Sequence, residues 1–251
     1  MPAQLQFRNV TLGYDRHPAV HHLSGDVGAG ALLAVIGPNG AGKSTLLRGI
    51  AGILKPLSGA IDLCGLDHRD IAYLPQIAEI DRSFPISAFD FVSTGLWRST
   101  GLFGGLGLKA RGRIIEAIAA VGLNGFENRP IGTLSGGQMQ RLLFARVLLQ
   151  DARLIVLDEP LNAIDAKTSK DLMALIAHWH GEGRTVLVAL HDLDLVRANF
   201  PDTLLLARGP VAWGPTREAL TAENLMVAMR MCEAFDDHAS ACADDVATWA
   251  A

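Results

Sequence analysis

The stretch Ala31-Leu32-Leu33-Ala34-Val35-Ile36-Gly37-Pro38-Asn39-Gly40-Ala41-Gly42-Lys43-Ser44-Thr45 decides the fold. Six apolar residues in a row, closed by a glycine, read as a strand buried on both faces. The next eight fit G-x-x-x-x-G-K-[ST], a loop whose glycines let successive backbone N–H groups turn inward toward phosphate oxygens. A helix is expected over residues 43–51, and its positive N-terminal end adds to the pull on an anion. Lys43 is placed to reach the β- and γ-phosphates of a nucleotide, and the Ser44 hydroxyl to take a Mg²⁺ position. Composition alone would produce roughly 0.004 accidental matches in a chain like this one. Strand, loop and helix together therefore predict a nucleotide phosphate site.

Two further apolar runs lie downstream. Leu154-Ile155-Val156-Leu157 ends in Asp158-Glu159-Pro160, and residues 184–190 end at His191. Strands that are apolar throughout and polar only at their C-terminal ends bring those polar residues to one edge of a sheet, where open α/β folds bind ligands. Asp158 is expected to hold Mg²⁺, Glu159 to orient and activate an attacking water, and His191 to donate to a γ-phosphate oxygen or steady the water. A plain helix-capping turn is the bland alternative for Asp158-Glu159-Pro160, and a capping or surface histidine for His191.

The middle of the chain, about residues 84–150, reads as mostly helical, with helices at 111–121 and 135–149. Met139, Leu142, Leu143 and Val147 share one helical face. Leu134-Ser135-Gly136-Gly137-Gln138 opens the second of these helices, with Ser135 a natural N-cap and two glycines leaving the first N–H groups uncovered. This is a second anion site, 92 residues after Lys43. Two γ-phosphate sites are redundant in one chain but useful if each nucleotide lies between two. Residues 5–27 are expected to form an antiparallel flap with residues 60–63. Residues 101–108 read as a Gly-rich loop, and about 230–251 as a loosely held tail.

Composition sets the outer limits. With 251 residues, 49% hydrophobic and 19% charged, the chain can build a substantial core. A net charge of −4 gives no overall positive field, so no nucleic-acid partner is expected. Cys64, Cys232 and Cys242 are too scattered for a disulfide framework and fit a reducing compartment. The first eight residues lack a basic stretch leading into an apolar run, so no signal peptide is expected. Apolar runs fall far short of the ~18 residues of a membrane span. His17, His21, His22, Cys232, Asp236, Asp237, His238 and Cys242 match no tetrahedral zinc spacing and read as polar surface.

Residues 37–45, Gln76, residues 134–138, residues 154–160, Asp165 and His191, in this order and spacing, resemble the ATPase subunits of ABC transporters, over residues 14–208. The resemblance implies an α/β fold: a P-loop NTPase cassette with a RecA-like mixed and parallel sheet core, an antiparallel β subdomain and a helical signature subdomain, all in one nucleotide-binding domain. It also implies a head-to-tail homodimer with two ATP molecules and Mg²⁺ at the interface. Gly37, Pro38, Asn39, Gly40, Ala41, Gly42, Lys43, Ser44 and Thr45 of one copy would hold each nucleotide against Leu134, Ser135, Gly136, Gly137 and Gln138 of the other. Tyr14 resembles the aromatic that stacks on adenine, and Asp165 the aspartate of the loop that crosses the interface. Gln76 resembles the glutamine that contacts Mg²⁺ and water, so Ser44, Gln76 and Asp158 form the expected ion site, and Glu159, His191 and Gln76 the catalytic set. Asn162-Ala163-Ile164 before Asp165 departs from the small residues and leucine usual there.

Residues 71–76, Asp81-Arg82-Ser83-Phe84-Pro85 and residues 134–141 are similar to the ATPases of zinc and manganese importers, and residues 14–22 to the zinc-importer ATPases called AztA. This likeness implies import of a divalent metal, zinc by preference, with manganese or an iron chelate as rivals. An integral membrane permease would dock near Gln76 on apolar surface from residues 84–92, with the ATPase peripheral at the cytoplasmic face of the plasma membrane. A periplasmic or extracellular metal-binding protein would be an indirect partner. A soluble ABC ATPase without a transport role is the rival class, and it usually carries two cassettes or a long coiled coil. Gln76 and Ser135 are separated by 59 positions, which leaves no room for the latter.

Overall fold

The computed structural model describes residues 2–15, 17–97, 105–162 and 164–233. Along the chain run β1 (Ala3–Tyr14), β2 (His17–Gly28), β3 (Leu32–Ile36), α1 (Lys43–Ile50), β4 (Ser58–Asp62) and β5 (Ile71–Leu74). Then come α2 (Ala88–Ser93), α3 (Leu108–Ala120), α4 (Gly136–Gln150), β6 (Leu154–Asp158), α5 (Ala166–Gly181) and β7 (Thr185–Leu190). The remainder is α6 (Leu193–Asn199), β8 (Asp202–Ala207), β9 (Gly209–Pro215), α7 (Thr216–Ala219) and α8 (Ala222–Glu233). The chain divides into two compact units, residues 1–65 with 189–251, and residues 66–188.

In the first unit, β1 pairs antiparallel with β2 and with β4. This is the expected flap, and bulges explain its weak alternation: register slips between Phe7 and Val10, where Asn9 takes φ 47°. β3 lies parallel to β8, with Ile36 opposite Leu205, and β9 returns antiparallel along β8. All five residues of β3 are buried, which is why they read as an unbroken apolar run.

In the second unit, β5 and β6 are parallel, with Leu74 opposite Leu157. The stretch expected to be helical carries α2, α3 and α4. α3 begins at Leu108, three residues earlier than its periodicity suggested. Met139, Leu142, Leu143 and Val147 are all buried, as their shared face requires. Phe144 of α4 stacks on Trp179 of α5, centroids 5.8 Å apart and planes within 7°, so these two helices share an aromatic core contact. Residues 101–104 of the expected loop at 101–108 lie outside the described residues, residues 105–107 are irregular and Leu108 already opens α3, while the tail lies almost wholly outside the described residues. Among the described residues no helix is long and apolar enough to cross a membrane.

Candidate functional site: a phosphate loop and a capped glycine tip

β3 delivers the chain into residues 37–42 and these into α1. A Cβ at Gly37 would stand 2.0 Å from the Leu206 carbonyl oxygen of β8. One at Gly42 would stand 2.5 Å from the Ala19 carbonyl oxygen, and Gly42 also takes φ 93° as it caps α1. Only glycine satisfies both demands. The Ala41 carbonyl accepts from the Arg208 N–H at 3.0 Å, pinning the loop to the end of β8. Lys43 is buried, and its Nζ donates to the carbonyls of Gly37 at 2.8 Å and Pro38 at 3.2 Å. Thr45 is buried, Ser44 is half-buried, and Asn39 and Gly40 are exposed.

Tyr14 ends β1 with 44% of its surface exposed. Its hydroxyl accepts from Arg48 Nη1 at 2.7 Å, and Arg48 sits on α1. The aromatic is thus tethered to the helix that the phosphate loop opens. His191 is exposed directly after β7, ahead of Asp192, which caps α6.

In the second unit, Asp158 closes β6 fully buried and accepts from the Tyr73 hydroxyl at 3.4 Å. Glu159 leaves the strand at φ 47°, a left-handed conformation of the kind non-glycine residues retain at functional positions. Its Oε2 accepts from Asn162 Nδ2 at 3.2 Å. Gln76 is half-buried just before a short 3₁₀ turn at Ile77–Glu79.

Ser135 caps α4. Its Oγ accepts from the Gln138 N–H at 3.2 Å, and Gln138 Oε1 accepts from the Ser135 N–H at 2.9 Å. Leu134 is buried, and its carbonyl accepts from Arg82 Nη2. Ser135 and Gly136 are exposed, and a Cβ at Gly136 or Gly137 would meet nothing within 4 Å among the described residues. Asp165 caps α5, accepting from the Thr168 N–H at 2.9 Å and from its hydroxyl at 2.7 Å. Those two bonds, with a lesser pull from Arg141, hold its carboxyl below the usual aspartate range.

The family profile for ABC transporters matches residues 20–162. The chain belongs to the ABC transporter family. Among curated relatives, it is 36% identical over 228 residues to the manganese transport system ATP-binding protein MntB of Listeria monocytogenes, covering 89% of this chain and 95% of that one. It is 40% identical over 223 residues to the zinc transport system ATP-binding protein TroB of Treponema pallidum, covering 87% and 84%. Among solved structures, an ABC transporter assigned to the metal-chelate type, in an inward-facing conformation, matches with TM-score 0.80 and 30% identity over 91% of this chain and 90% of that one. An ATP-binding cassette solved as a dimer in a post-hydrolysis state with ADP and Pi matches with TM-score 0.75 and 26% identity over 85% and 99%.

The chain is therefore an ABC-type ATPase that binds ATP, built on the α/β cassette its motifs implied. Within this ATPase the expected site residues fall into two sets. Tyr14, residues 37–45 and His191 lie in the first unit; Gln76, residues 134–138, Asp158, Glu159 and Asp165 lie in the second. Four supporting residues escaped the sequence reading: Arg48 on Tyr14, Tyr73 on Asp158, Asn162 on Glu159 and Arg82 on Leu134. Only Asn162 left a signal, a side-chain amide three residues past the carboxylate.

Proposed function

We propose that this ATPase powers import of a divalent metal ion through a separate membrane permease, acting as a head-to-tail homodimer peripheral to the cytoplasmic face of the plasma membrane. The observation that carries the dimer is the glycine pair at 136 and 137. Glycine in a helical turn costs up to about 1 kcal/mol against alanine, and here no described neighbour of its own chain demands it. A ligand backed by a second copy would demand it, because bare N–H groups can then close on phosphate oxygens. The similar cassette solved as a dimer with ADP and Pi supports the same reading.

In the proposed cycle, the backbone N–H groups of residues 37–45 and the Lys43 ammonium hold the β- and γ-phosphates. Those phosphates take over the bonds that Lys43 makes to Gly37 and Pro38. Tyr14 offers its ring to adenine. Ser44, Asp158 and Gln76 present hard oxygen donors of the kind Mg²⁺ prefers, and the ion when bound neutralises phosphate charge. Glu159, steadied by Asn162, orients the attacking water and accepts its proton, and His191 donates to a γ-phosphate oxygen. Ser135, Gly136 and Gly137 of the second copy complete the grip, so ATP closes the dimer and hydrolysis releases it.

The relatives named for manganese and zinc transport support a divalent metal cargo. Zinc is the proposed ion, on the likeness of residues 14–22 to AztA-type ATPases; manganese is the second reading, on the likeness to MntB. The permease would meet the segment around Phe84, which is 61% exposed, while Ala88 and Val92 turn into the core. Arg82, two residues before Phe84, ties that segment to the carbonyl just ahead of Ser135, giving docking a route to the glycine tip. A periplasmic or extracellular metal-binding protein would feed the permease. The test is uptake of labelled zinc and manganese in cells whose only copy carries Lys43→Ala. Loss of uptake of one ion identifies the cargo; unchanged uptake of both overturns metal import.

A further inference from the structure

The glycine tip and the Asp165 loop are the two elements of the second unit that the proposed dimer turns toward the other copy. They belong to different helices, α4 and α5, and start them from different loops. One polar junction links them. Arg141, about a turn and a half into α4, donates from Nη2 to Thr168 Oγ1 at 2.6 Å. The same hydroxyl donates to Asp165 Oδ2 at 2.7 Å, while the Thr168 N–H donates to Oδ1 at 2.9 Å. A hydroxyl that accepts from a guanidinium and donates to a carboxylate joins two charges that a methyl could not join. Thr168 is buried at 1% exposure, so water does not compete for its hydroxyl.

A third element fixes the arginine itself. Gly122 follows α3 at φ 72°, and a Cβ there would stand 3.3 Å from Arg141 Nη1. The guanidinium therefore lies beside the end of α3, where its positive charge suits the helix C-terminus. Deeper along the same pair of helices, the stack of Phe144 on Trp179 supplies the apolar half of the clamp. The Arg141–Thr168–Asp165 chain joins the same two helices at their other end.

We propose that Arg141 is a positioning residue that locks the glycine tip and the Asp165 loop into one rigid dimerisation face, so that ATP bound in one site favours closure over the second. The proposal rests on the dimer proposed for the ATPase cycle. Its consequence is selective. Nucleotide binding by a single copy uses residues 37–45, in the other unit, and is unaffected. Closure and cooperativity are affected, because a face whose two parts drift must be re-ordered each time the dimer forms.

The experiment uses the full chain in a Glu159→Gln background for dimerisation and in the parent for hydrolysis. The variants are Arg141→Ala, Arg141→Lys, Thr168→Val and Thr168→Ser, each checked by thermal melting. Expected for Arg141→Ala and Thr168→Val is unchanged affinity for a fluorescent ATP analogue, at least tenfold weaker ATP-dependent dimerisation, lower kcat, and a Hill coefficient for ATP that falls toward one. Thr168→Ser, which keeps the hydroxyl, restores all of these, and Arg141→Lys restores them in part. If Arg141→Ala melts early, Thr168→Val against Thr168→Ser decides. Parent-like dimerisation and cooperativity in Thr168→Val overturn the positioning role, as does an equal loss in Thr168→Ser. If instead the Glu159→Gln protein itself stays monomeric with ATP, the dimer reading fails and takes this proposal with it.

Discussion

The chain starts two helices from glycine-rich sequence, and the glycines serve opposite masters. At Gly37 and Gly42 the protein's own backbone requires them: carbonyl oxygens of Leu206 and Ala19 stand where side chains would go, while Gly40 is required by its φ of 80°. The loop is satisfied internally, with Lys43 bonded to two of its carbonyls. At residues 135–137 the cap is also satisfied, by the Ser135–Gln138 box, yet no described atom beyond the neighbouring residues and the helix's own backbone comes within 4 Å of where the side chains of Gly136 and Gly137 would be. A motif required by its own fold and one that the proposed dimer would require look alike in sequence. What a Cβ would strike separates Gly37 and Gly42 from Gly136 and Gly137.

The harshest way to break the comparison is Gly37→Ala. With a backbone oxygen 2.0 Å from the new methyl, strand and loop must part, and a destabilisation of about 3 kcal/mol is expected. Thermal melting should show a large drop in Tm and isothermal titration should show no ATP binding. A normal melt would mean that this loop is not a rigid cradle.

Next in size is Glu159→Gln. Removing a general base typically lowers kcat by about 10²–10⁴-fold, and phosphate release should fall within that range while ATP binding persists. With Mg²⁺ and ATP the variant should run as a dimer on gel filtration, and hydrogen exchange should slow at Gly136 and Gly137. Near-normal turnover would remove Glu159 from its role. Chelating the divalent ions should stop hydrolysis in the parent as completely.

Gly137→Ala sharpens the contrast from the other side. Its helix should hold or gain stability, by up to about 1 kcal/mol, because nothing described lies within reach of the added methyl. Dimerisation with ATP should nonetheless weaken and kcat fall by about tenfold, since in the proposed dimer the methyl would meet the phosphate held by the other copy. A variant both more stable and less active is the signature of a glycine kept for a guest.

The legibility of each feature in sequence depends on how it is encoded. β3, its loop and α1 are consecutive, and so are β6 with Asp158 and α4 with its cap; period and spacing expose them. β4, expected at residues 60–63 as part of the flap, starts two residues earlier at Ser58, a position that its pairing with Thr11 of β1 decides. β8 and β9 are hard to read as a hairpin, although Leu204, Leu205 and Leu206 form an apolar run and Gly209-Pro210 is a turn signal, because one residue, Arg208 at φ 62°, stands between the strands in place of the common two-residue loop. The identities of the candidate site residues could be read from motifs. The contacts that aim them could not: Arg82 reaches Leu134 across 52 residues and Arg141 reaches Thr168 across 27, and no periodicity records such a pairing.

The smallest predicted effect tests the cap that the glycine tip shares its face with. Asp165 has a carboxyl held below its ordinary value first by the Thr168 N–H and then by the Thr168 hydroxyl. A carboxylate depressed in the folded state binds fewer protons there than in the unfolded chain, so its contribution is complete above the ordinary aspartate range and is lost as pH falls through the lowered value. Asp165→Asn should therefore flatten the fall of Tm with acid below about pH 4, while leaving Tm near neutrality shifted only by the weaker cap. Thr168→Val should flatten it less, because the backbone N–H still donates to the carboxylate. A residual acid slope is expected in both, since Asp81, held down by the Ser83 hydroxyl and N–H, titrates in the same sense. If Asp165→Asn and the parent lose stability in parallel across that range, the cap bonds are too weak to order the loop, and rigidity on that side of the glycine tip must come from the Phe144–Trp179 stack alone.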